Sequence, residues 1–449
     1  MRNCSNSPYG ANVPEQLLAG SAVADITPSE SVFLFGYPNV PRWSTGVHDP
    51  LLASALHISD GATAALFVAS DIIFVTRSST QRIRQRITAA TGFPGANILI
   101  SATHTHSGPM TVDYLANEHD SAVPRTDAKY LQWFEDQCVA AAVRAVATAA
   151  PARIGLAVGD ATGVGSNRRD PDGPADLSLP VLFVQRRADA SPLAIMLICS
   201  MHPTVLHEDS TLISGDFPGL ARRYLQSRVV GAQCPILYHT GPAGNQSPRH
   251  VVQSNTLSEA NRLGGIVGSA AERALSSISF VDRVRIECRS KEVYLPVREF
   301  ASVADAERRL RHSLMRLEGL RRAKAPRAAV RTAECDWFGA AETVTLARAA
   351  ADGRLADVVR SCMPAEVQCI RINDWNFVGW PGELFVEFAL QVKAQRPNTF
   401  IINYANGELQ GYLVTQQAVD EGGYEASNAL FKSPEGGDAI VRATLELLK

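Results

Sequence analysis

Two histidines stand two positions apart in SATHTHSGP, residues 101–109, directly after the apolar run NILI. Side chains alternate between the two faces of an extended segment, so His104 and His106 are predicted to point the same way. Imidazole is a common metal ligand, but two hydrogen-bonded histidines at a strand end explain the same pattern. A metal site needs a third and usually a fourth ligand, so the rest of the chain must supply them.

Three further segments carry a side chain of ligand type after a predicted strand. CSMHPTVLH contains His202, GWPGELFVEFA contains Glu383, and NGELQGYLVTQQAVDEGGYEAS contains Tyr412 and Tyr424. Each signal is weak alone, because strand-end histidines and glutamates are often structural. Their order and spacing along one chain make them informative together.

Alternating apolar and amphipathic stretches predict the elements that hold these side chains. Strand, helix and strand follow one another, and a second cycle repeats the pattern, which is typical of an α/β fold with functional groups at strand ends. We therefore predict a layered mixed β-sheet with flanking helices. The segments are 64–75 (strand), 79–92 (helix), 97–103 (strand), 127–150 (helix), and 152–158, 179–186 and 192–200 (strands).

The composition excludes several classes of protein. With 46% hydrophobic and 20% charged residues, the 449-residue chain has the make-up of a globular protein, and a net charge of −2 gives no bulk attraction to nucleic acid. No apolar run is long enough for stable membrane insertion, and the N-terminal residues lack the core of a secretory signal, which predicts a cytoplasmic protein. The 8 cysteines form no CxxC pair, so free thiols are expected.

An arginine-rich amphipathic helix is predicted from residue 301 to about 332, with leucines along one face. A membrane surface or an acidic partner would suit such a helix. A solvated outer face over a packed leucine stripe is the commoner arrangement, and we favour it.

Together the motifs resemble the catalytic domain of the neutral/alkaline, non-lysosomal ceramidases, which are zinc-dependent amidases. The resemblance is carried over nearly the whole chain by GSAVADITP, GVHDPLLASAL, ISATHTHSGP, HPT, SGDFPG, NQSP, PGE, GYLVT and YEAS. It implies a single catalytic domain over residues 1–449 with a helical, arginine-rich insertion at about 300–360. These ceramidases carry an additional C-terminal β-sandwich, whereas 25 residues follow Tyr424, so the resemblance implies the catalytic domain alone.

The resemblance also implies roles for the candidate residues. The zinc ligands would be His104, His202, Glu383 and Tyr412, and the cofactor Zn²⁺. The residues that contact the substrate would be His106, Arg168 and Tyr424, with Arg169 as a neighbour that a shift in register would substitute for Arg168. Zinc-bound water would attack the carbonyl carbon, His106 and Arg168 would donate to the oxyanion, and either His106 or Tyr424 would protonate the leaving amine.

The leading hypothesis is therefore a zinc-dependent hydrolase that cleaves a carboxamide (N-acyl) bond of a small molecule. GPAGNQSPR stands where ceramidases read closer to GDVSP, which leaves the substrate open. A zinc-dependent esterase or lactonase is the first alternative, and a non-catalytic binding homologue is the second. Homo-oligomerisation is left open.

Some polar residues keep a structural interpretation beside the functional one. Asp71 and Asp216 would either orient ligand histidines or cap turns, and the sequence does not choose between the two. His48 is interpreted as a turn histidine, and Trp375 and Trp380 as core residues.

Overall fold

The computed structural model describes residues 16–449. The N-terminal end of the predicted 1–449 domain, Cys4 and the segment examined for a secretory signal lie outside the described residues. The strands are β1 (Leu18–Asp25), β2 (Gly46–Val47), β3 (Leu52–Ser59), β4 (Ala64–Ser70), β5 (Ile98–Ala102), β6 (Ala150–Asp160), β7 (Ser166–Asn167), β8 (Ser178–Arg186), β9 (Pro192–Cys199), β10 (Leu212–Ile213), β11 (Ile236–Thr240), β12 (Gln246–Ser247), β13 (Ile286–Val293), β14 (Ala365–Ile372), β15 (Trp375–Gly379), β16 (Glu383–Leu384), β17 (Thr399–Ile402) and β18 (Tyr412–Leu413). The α-helices are α1 (Arg77–Thr91), α2 (Ala128–Ala147), α3 (Asp216–Leu225), α4 (Leu257–Leu275), α5 (Val303–Arg322), α6 (Arg327–Ala351), α7 (Leu355–Cys362), α8 (Val386–Gln395), α9 (Gln416–Glu421), α10 (Tyr424–Asn428) and α11 (Glu435–Leu447).

The first predicted strand–helix–strand unit is β4, α1 and β5. Helix α1 begins after Thr76, whose side chain accepts a hydrogen bond from the Ser79 amide, and ends at Gly92 in the left-handed conformation at φ 73°. Helix α2 begins after Asp127, whose carboxylate accepts from the amides of Lys129 and Tyr130. The helices therefore begin and end where the sequence supplies capping residues.

Two mixed sheets form the centre of the fold. The larger has eight strands in the order β11-β9-β8-β6-β1-β3-β4-β5, and the smaller has four in the order β13-β14-β15-β17. In the larger sheet the outer pairs β11–β9 and β4–β5 are parallel, and the inner neighbours are antiparallel. The prediction of a layered mixed sheet with flanking helices is confirmed.

The apolar faces of the two sheets pack against each other. Leu56, Phe67 and Met196 of the larger sheet share one buried cluster with Phe377 and Phe400 of the smaller sheet. The opposite face of the larger sheet is covered by helices α1 to α4, and that of the smaller sheet by α8 and α11. The order of layers is therefore helix, sheet, sheet, helix, and the second sheet is a feature the sequence did not reveal.

The arginine-rich segment forms two helices, so the prediction of one helix from residue 301 to about 332 is wrong. Helix α5 ends at Arg322, Lys324 turns the chain at φ 50°, and α6 begins after Pro326. Proline lacks an amide donor and restricts the residue before it, so a helix ends here readily. Whether these helices are an insertion relative to the family stays a prediction.

Acidic partners neutralise much of the arginine face. Arg316 pairs with Asp336, Arg321 with Glu334, and Arg348 with Glu307, which joins α5 to α6. Among the described residues, none of the helices is long and apolar enough to span a bilayer.

Candidate metal centre and active site

His104 leaves the end of β5 in a turn. The strand ends at Ala102, and His104 has φ 65°, with its amide donating to the Ile72 carbonyl at 2.9 Å. The segment is therefore not extended, and strand alternation is the wrong reason for the two histidines to converge. The turn itself brings Nε2 of His106 to 3.3 Å from Nε2 of His104.

His104 and His202 face each other through their Nε2 atoms, 3.0 Å apart. Nδ1–H of His104 donates to the Ile73 carbonyl at 2.8 Å, and Nδ1–H of His202 donates to the Ala243 carbonyl at 2.7 Å. Because a carbonyl only accepts, the proton of each neutral imidazole is on Nδ1. Two lone pairs therefore point into one small space.

Glu383 adds a third acceptor to the same space. Its Oε2 lies 3.4 Å from Nε2 of both His104 and His202, and it has no hydrogen-bond donor among residues 16–449. Buried acceptors that face one another without a proton repel unless a cation lies between them. Tetrahedral zinc with bonds of about 2.0–2.1 Å places its ligand atoms about 3.3 Å apart, close to the spacing seen here. The residues present therefore fit a zinc ion.

Tyr412 is placed beside Glu383 by the backbone. Strands β16 and β18 pair in parallel with Glu383 opposite Tyr412, so residues 29 positions apart lie side by side. The ring of Tyr412 is 5.9 Å from that of Tyr424, and the Arg168 guanidinium lies 5.3 Å from the Tyr412 ring centre. Tyr412 thus adjoins the centre, while its role as a ligand stays a prediction.

His106 lies in the turn after β5, where Gly36 of another loop packs against its ring. Its Nδ1 has no hydrogen-bond partner among the described residues, and Arg42 donates to its carbonyl at 2.8 Å. Nitrogen atoms of His104, His106 and His202 all lie within 4.8 Å of one another. This placement suits either contact with a bound substrate or a fourth ligand position.

Arg168 is held beside the site by a carboxylate. Its Nε donates to Glu425 Oε1 at 2.8 Å, and Arg169 donates to Glu425 Oε2 at 2.9 Å. Arg168 Nη2 has no partner among the described residues. The two arginines therefore differ: Arg168 lies over Tyr412, whereas Arg169 also reaches Glu421 on the surface.

Burial dominates the electrostatics of the centre. It lowers the pKa of His202 to about 4, which keeps the imidazole neutral and ready to bind a metal. Burial alone would raise the pKa of Glu383, but the neighbouring His104 and His202 hold it well below its usual value. Burial, with Glu383 adding to it, raises the pKa of Tyr412 well above its usual value, so the phenol is neutral unless a cation adjoins it.

Other polar candidates have structural roles. Asp71 pairs with Arg222 at 2.6 Å, and Asp216 accepts from the Leu206 amide at 2.8 Å, so neither orients a ligand histidine. Main-chain carbonyls do that instead. His48 bonds to the adjacent Asp49 at 2.7 Å. Trp380 is fully buried and Trp375 packs against the inter-sheet cluster, as interpreted from the sequence.

Tyr404 is a site residue that the sequence analysis missed. Its ring stacks on His104 with centres 4.0 Å apart and planes inclined by 13°, and its own backbone has φ 55°. Phe74 contacts the same imidazole edge-on at 4.8 Å. The signal for Tyr404 was available, because NYANG follows the apolar run TFII just as THTH follows NILI.

Five of the seven predicted site residues line one narrow cleft: His104, His106, Glu383, Tyr412 and Tyr424. His202 reaches the centre from a fully buried position. Arg168 lies behind Tyr412, its side chain 15% exposed. The structure therefore brings all seven residues into one region, which sequence spacing alone could not establish.

Comparison with known sequences identifies related proteins. Residues 17–236 match the profile of the family described as neutral/alkaline non-lysosomal ceramidase, N-terminal. Neutral ceramidase B of Dictyostelium discoideum is 27% identical over 269 residues, covering 55% of this chain and 36% of the relative. Neutral ceramidase of Mycobacterium tuberculosis is 27% identical over 241 residues, covering 48% of this chain and 37% of the relative. The aligned part thus spans little more than a third of the length of these curated relatives.

A solved structure supports the fold over almost the whole chain. The crystal structure of neutral ceramidase from Pseudomonas aeruginosa superposes with a TM-score of 0.73 at 19% identity, covering 97% of this chain and 75% of that one. At this identity the likeness is one of fold. The prediction of a domain of neutral-ceramidase type is confirmed on that ground.

Proposed function

The chain belongs through residues 17–236 to the neutral/alkaline non-lysosomal ceramidase family, and from this premise we propose that it is a zinc-dependent amidohydrolase of N-acylated amines. The relatives are named neutral ceramidases, so we take the amide bond of ceramide as the model for the bond that is cleaved. A smaller N-acyl compound is included in the proposal, because only part of each relative aligns with this chain. A cytoplasmic location stays a prediction from the sequence, and homo-oligomerisation stays open.

One observation carries the proposal: three buried acceptor atoms converge without a proton between them. They are Nε2 of His104, Nε2 of His202 and Oε2 of Glu383, separated by 3.0 to 3.4 Å. Two neutral imidazoles and one carboxylate are a common donor set for catalytic zinc. When bound, zinc supplies a Lewis acid and lowers the pKa of a coordinated water toward neutrality.

The chain's own residues prepare the site for this chemistry. The carbonyls of Ile73 and Ala243 fix the two imidazoles with Nε2 toward the centre, and Glu383 offsets one unit of positive charge. Stacking of Tyr404 on His104 excludes water from one side of that ring. The ligands are therefore oriented before substrate arrives.

In this proposal Arg168 and His106 act on the substrate carbonyl. Arg168 Nη2 has an unused N–H donor, and Glu425 fixes the rest of the guanidinium. A donor to the developing oxyanion is typically worth about 3 kcal/mol of transition-state stabilisation. The proton for the leaving amine would come from His106 or Tyr424, both of which line the cleft.

The proposal is tested by metal content and turnover measured together. We expect about one zinc per chain in protein produced with zinc supplied, and hydrolysis of N-acyl amides that a chelator abolishes and added zinc restores. His104→Ala and Glu383→Gln should lose both zinc and activity, whereas His312→Ala, on the exposed face of α5, should keep both.

Matched amides and esters of the same acyl chain complete the experiment. A kcat/KM that favours the ester far above the amide would replace the proposal with the esterase alternative. Full turnover by metal-free protein would refute the zinc-dependent reaction, and a zinc-free protein without activity would favour the binding homologue.

A further inference from the structure

The cleft continues past the metal centre to a buried carboxylate. His104 and Glu383 line it on one side, and Glu342 of α6 and Asn428 of α10 line it on another. Glu342 is only 5% exposed, and none of the motifs that carry the family resemblance includes it. It comes from the helical segment that the fold places against this cleft.

Glu342 is held by two amides and by no cation. Asn117 Nδ2 donates to its Oε1 at 3.0 Å, and Asn428 Nδ2 donates to its Oε2. Within residues 16–449 it makes no ion pair with lysine, arginine or histidine, whereas the buried carboxylate of Glu425 pairs with two arginines. Each carboxylate oxygen therefore keeps a lone pair for a further donor.

Because Glu342 is buried, a carboxylate lone pair without a hydrogen-bond donor is energetically unfavourable there. Burial raises the pKa of Glu342 to about 7, against the two amide donors that lower it. The hydroxyl of Tyr114, 8% exposed and also lining the cleft, has no partner in the described part of the chain. Buried polar groups of this kind are normally satisfied by a partner, so the cleft has unused hydrogen-bonding capacity next to Glu342.

Glu342 also lies where the narrow cleft meets a larger cavity. The inner cleft holds about 40 Å³, and a neighbouring cavity of about 380 Å³ between α5, α6 and the 115–120 segment shares Pro38, Asn117 and Glu342 as wall residues. A cavity of about 40 Å³ accommodates only one or two water-sized groups. The reacting amide would occupy the inner cleft, and the rest of the substrate would pass Glu342.

We propose that Glu342, Asn117 and Asn428 form a polar subsite that binds a hydrogen-bond donor, an ammonium or a hydroxyl, carried by the substrate near the scissile amide. The inference rests on the proposed amide hydrolysis and names its substrate class: N-acyl amines with a donor group rather than a plain hydrocarbon end. A methyl group in this position would leave the Glu342 carboxylate with its two amide donors alone and its remaining lone pairs buried and unsatisfied, and that loss is the source of selectivity.

The test uses three hexanoyl amides of equal length on the amine side, made from butylamine, 3-aminopropanol and 1,3-diaminopropane. A matched set carries the methyl, hydroxyl or ammonium at the end of the acyl chain, with propylamine as the amine. Binding to the full-length native protein is measured by calorimetry, and kcat/KM is measured in parallel. In at least one set we expect the donor-terminated compounds to bind about tenfold or more tightly than the methyl compound.

Two variants locate the effect. Glu342→Gln keeps an acceptor but loses the charge, so it should lose most of the preference for ammonium and retain part of that for hydroxyl. Glu307→Gln is the matched control, because Glu307 lines the outer cavity on α5 but already pairs with Arg348. This control should keep the native order of binding. Circular dichroism and the thermal midpoint verify folding of both variants.

Equal binding of methyl, hydroxyl and ammonium compounds by the native protein in both sets would overturn the subsite, whatever the variants do. An unchanged preference in folded Glu342→Gln would also overturn it. Amide hydrolysis without any end-group preference refutes the subsite and leaves the proposed function standing. Glu342-dependent binding without hydrolysis supports the subsite and refutes the function.

Discussion

Gly36 packs against the ring of His106 with no room for a side chain. It has φ 124°, and a Cβ built on it would lie 2.3 Å from Nδ1 of His106. Gly36→Ala should therefore displace the imidazole and lower kcat/KM at least tenfold. Gly92→Ala is the control, because Gly92 also has positive φ, at 73°, but its added Cβ would meet nothing within 4 Å. Gly92→Ala should lower the free energy of unfolding by about 1 kcal/mol and leave activity intact. Equal activity of both variants would contradict the assigned place of His106.

Glu425 is a positioning residue for Arg168. Glu425→Gln removes its negative charge and one of the acceptors that hold the guanidinium, so kcat should fall about tenfold while zinc content stays at the native level. Glu421→Gln is the matched control, since Glu421 is half exposed and forms its ion pair with Arg169 and not with Arg168. Loss of zinc along with activity in Glu425→Gln would indicate a general disruption instead, and an unchanged kcat would contradict the role of Arg168.

Single site residues were predictable where a motif carried them. His104 and His202 stand 98 positions apart and Glu383 lies still further along the chain, and the structure brings their acceptor atoms within 3.4 Å of one another. Tyr404 and Glu342 were not predicted, because their importance arises from stacking and from a cavity wall that only the folded chain creates. The sequence left open whether Asp71 orients a ligand histidine. Its actual partner, Arg222, is 151 positions away, so no local pattern indicates the pair.

Among pairs of elements, α3 and α4 pack with their backbones in close approach at Gly264. A Cβ there would lie 2.8 Å from Leu220 Cβ and 2.9 Å from the Phe217 carbonyl. Gly264→Ala should lower the free energy of unfolding by about 1–3 kcal/mol through overpacking. The next residue offers the control, because a Cβ on Gly265 would have no atom within 4 Å. Gly265→Ala should therefore raise the free energy of unfolding by up to about 1 kcal/mol through its higher helix propensity. Urea denaturation measures both, and the same sign of change in the two variants would contradict this packing.

Helix α1 is joined to the loop after β17 by Glu408, whose carboxylate accepts from the Arg77 amide at 3.0 Å. Burial raises the pKa of Glu408 to about 7. The pKa of this carboxyl is therefore higher in the folded state than in the unfolded state, where it is about 4.5. The free energy of unfolding then falls as the pH rises from about 4.5 to about 7, because the folded state resists losing the proton. The free energy of unfolding of Glu408→Gln, compared with that of the native protein, should therefore rise by about 2 kcal/mol as the pH goes from 5 to 8. A stability difference that stays constant across this range would refute the raised pKa.

Helix and strand positions followed closely from the alternation of apolar and amphipathic stretches. The 127–150 helix is α2, and the strand predicted from NILI is β5. The arginine-rich composition of 301–332 predicts one helix, but the leucine stripe ends at Leu320, and Pro326 separates α5 from α6. Of its leucines, Leu317 is buried and Leu314 is 37% exposed, so the stripe is only partly packed.

Over the whole chain, the sequence indicated the α/β class but not the packing of two sheets. Strands that are buried on both faces read as continuous apolar runs whether helices or another sheet cover them. Phe67 and Phe377, on different sheets, have ring centres 5.6 Å apart, a contact between positions too distant for any local pattern to reveal. Long-range assembly, rather than local structure, was therefore the part that residue spacing could not supply.

The same assembly would make a metal ion bound at this centre a link between the two sheets. His104 and His202 follow β5 and β9 of the larger sheet, while Glu383 follows β15 of the smaller sheet. An ion bound by all three ties the sheets together and stabilises only the folded chain, by about 4 kcal/mol at a thousandfold excess over Kd.

We therefore expect zinc added to chelator-treated protein to raise the thermal midpoint by about 5 °C or more, as read by calorimetry. Glu383→Gln should lose most of this increase because one of the acceptors that hold the ion is weakened, whereas His312→Ala should keep it. A midpoint that zinc leaves unchanged, or raises equally in Glu383→Gln, would mean that the three acceptors do not hold the ion in common.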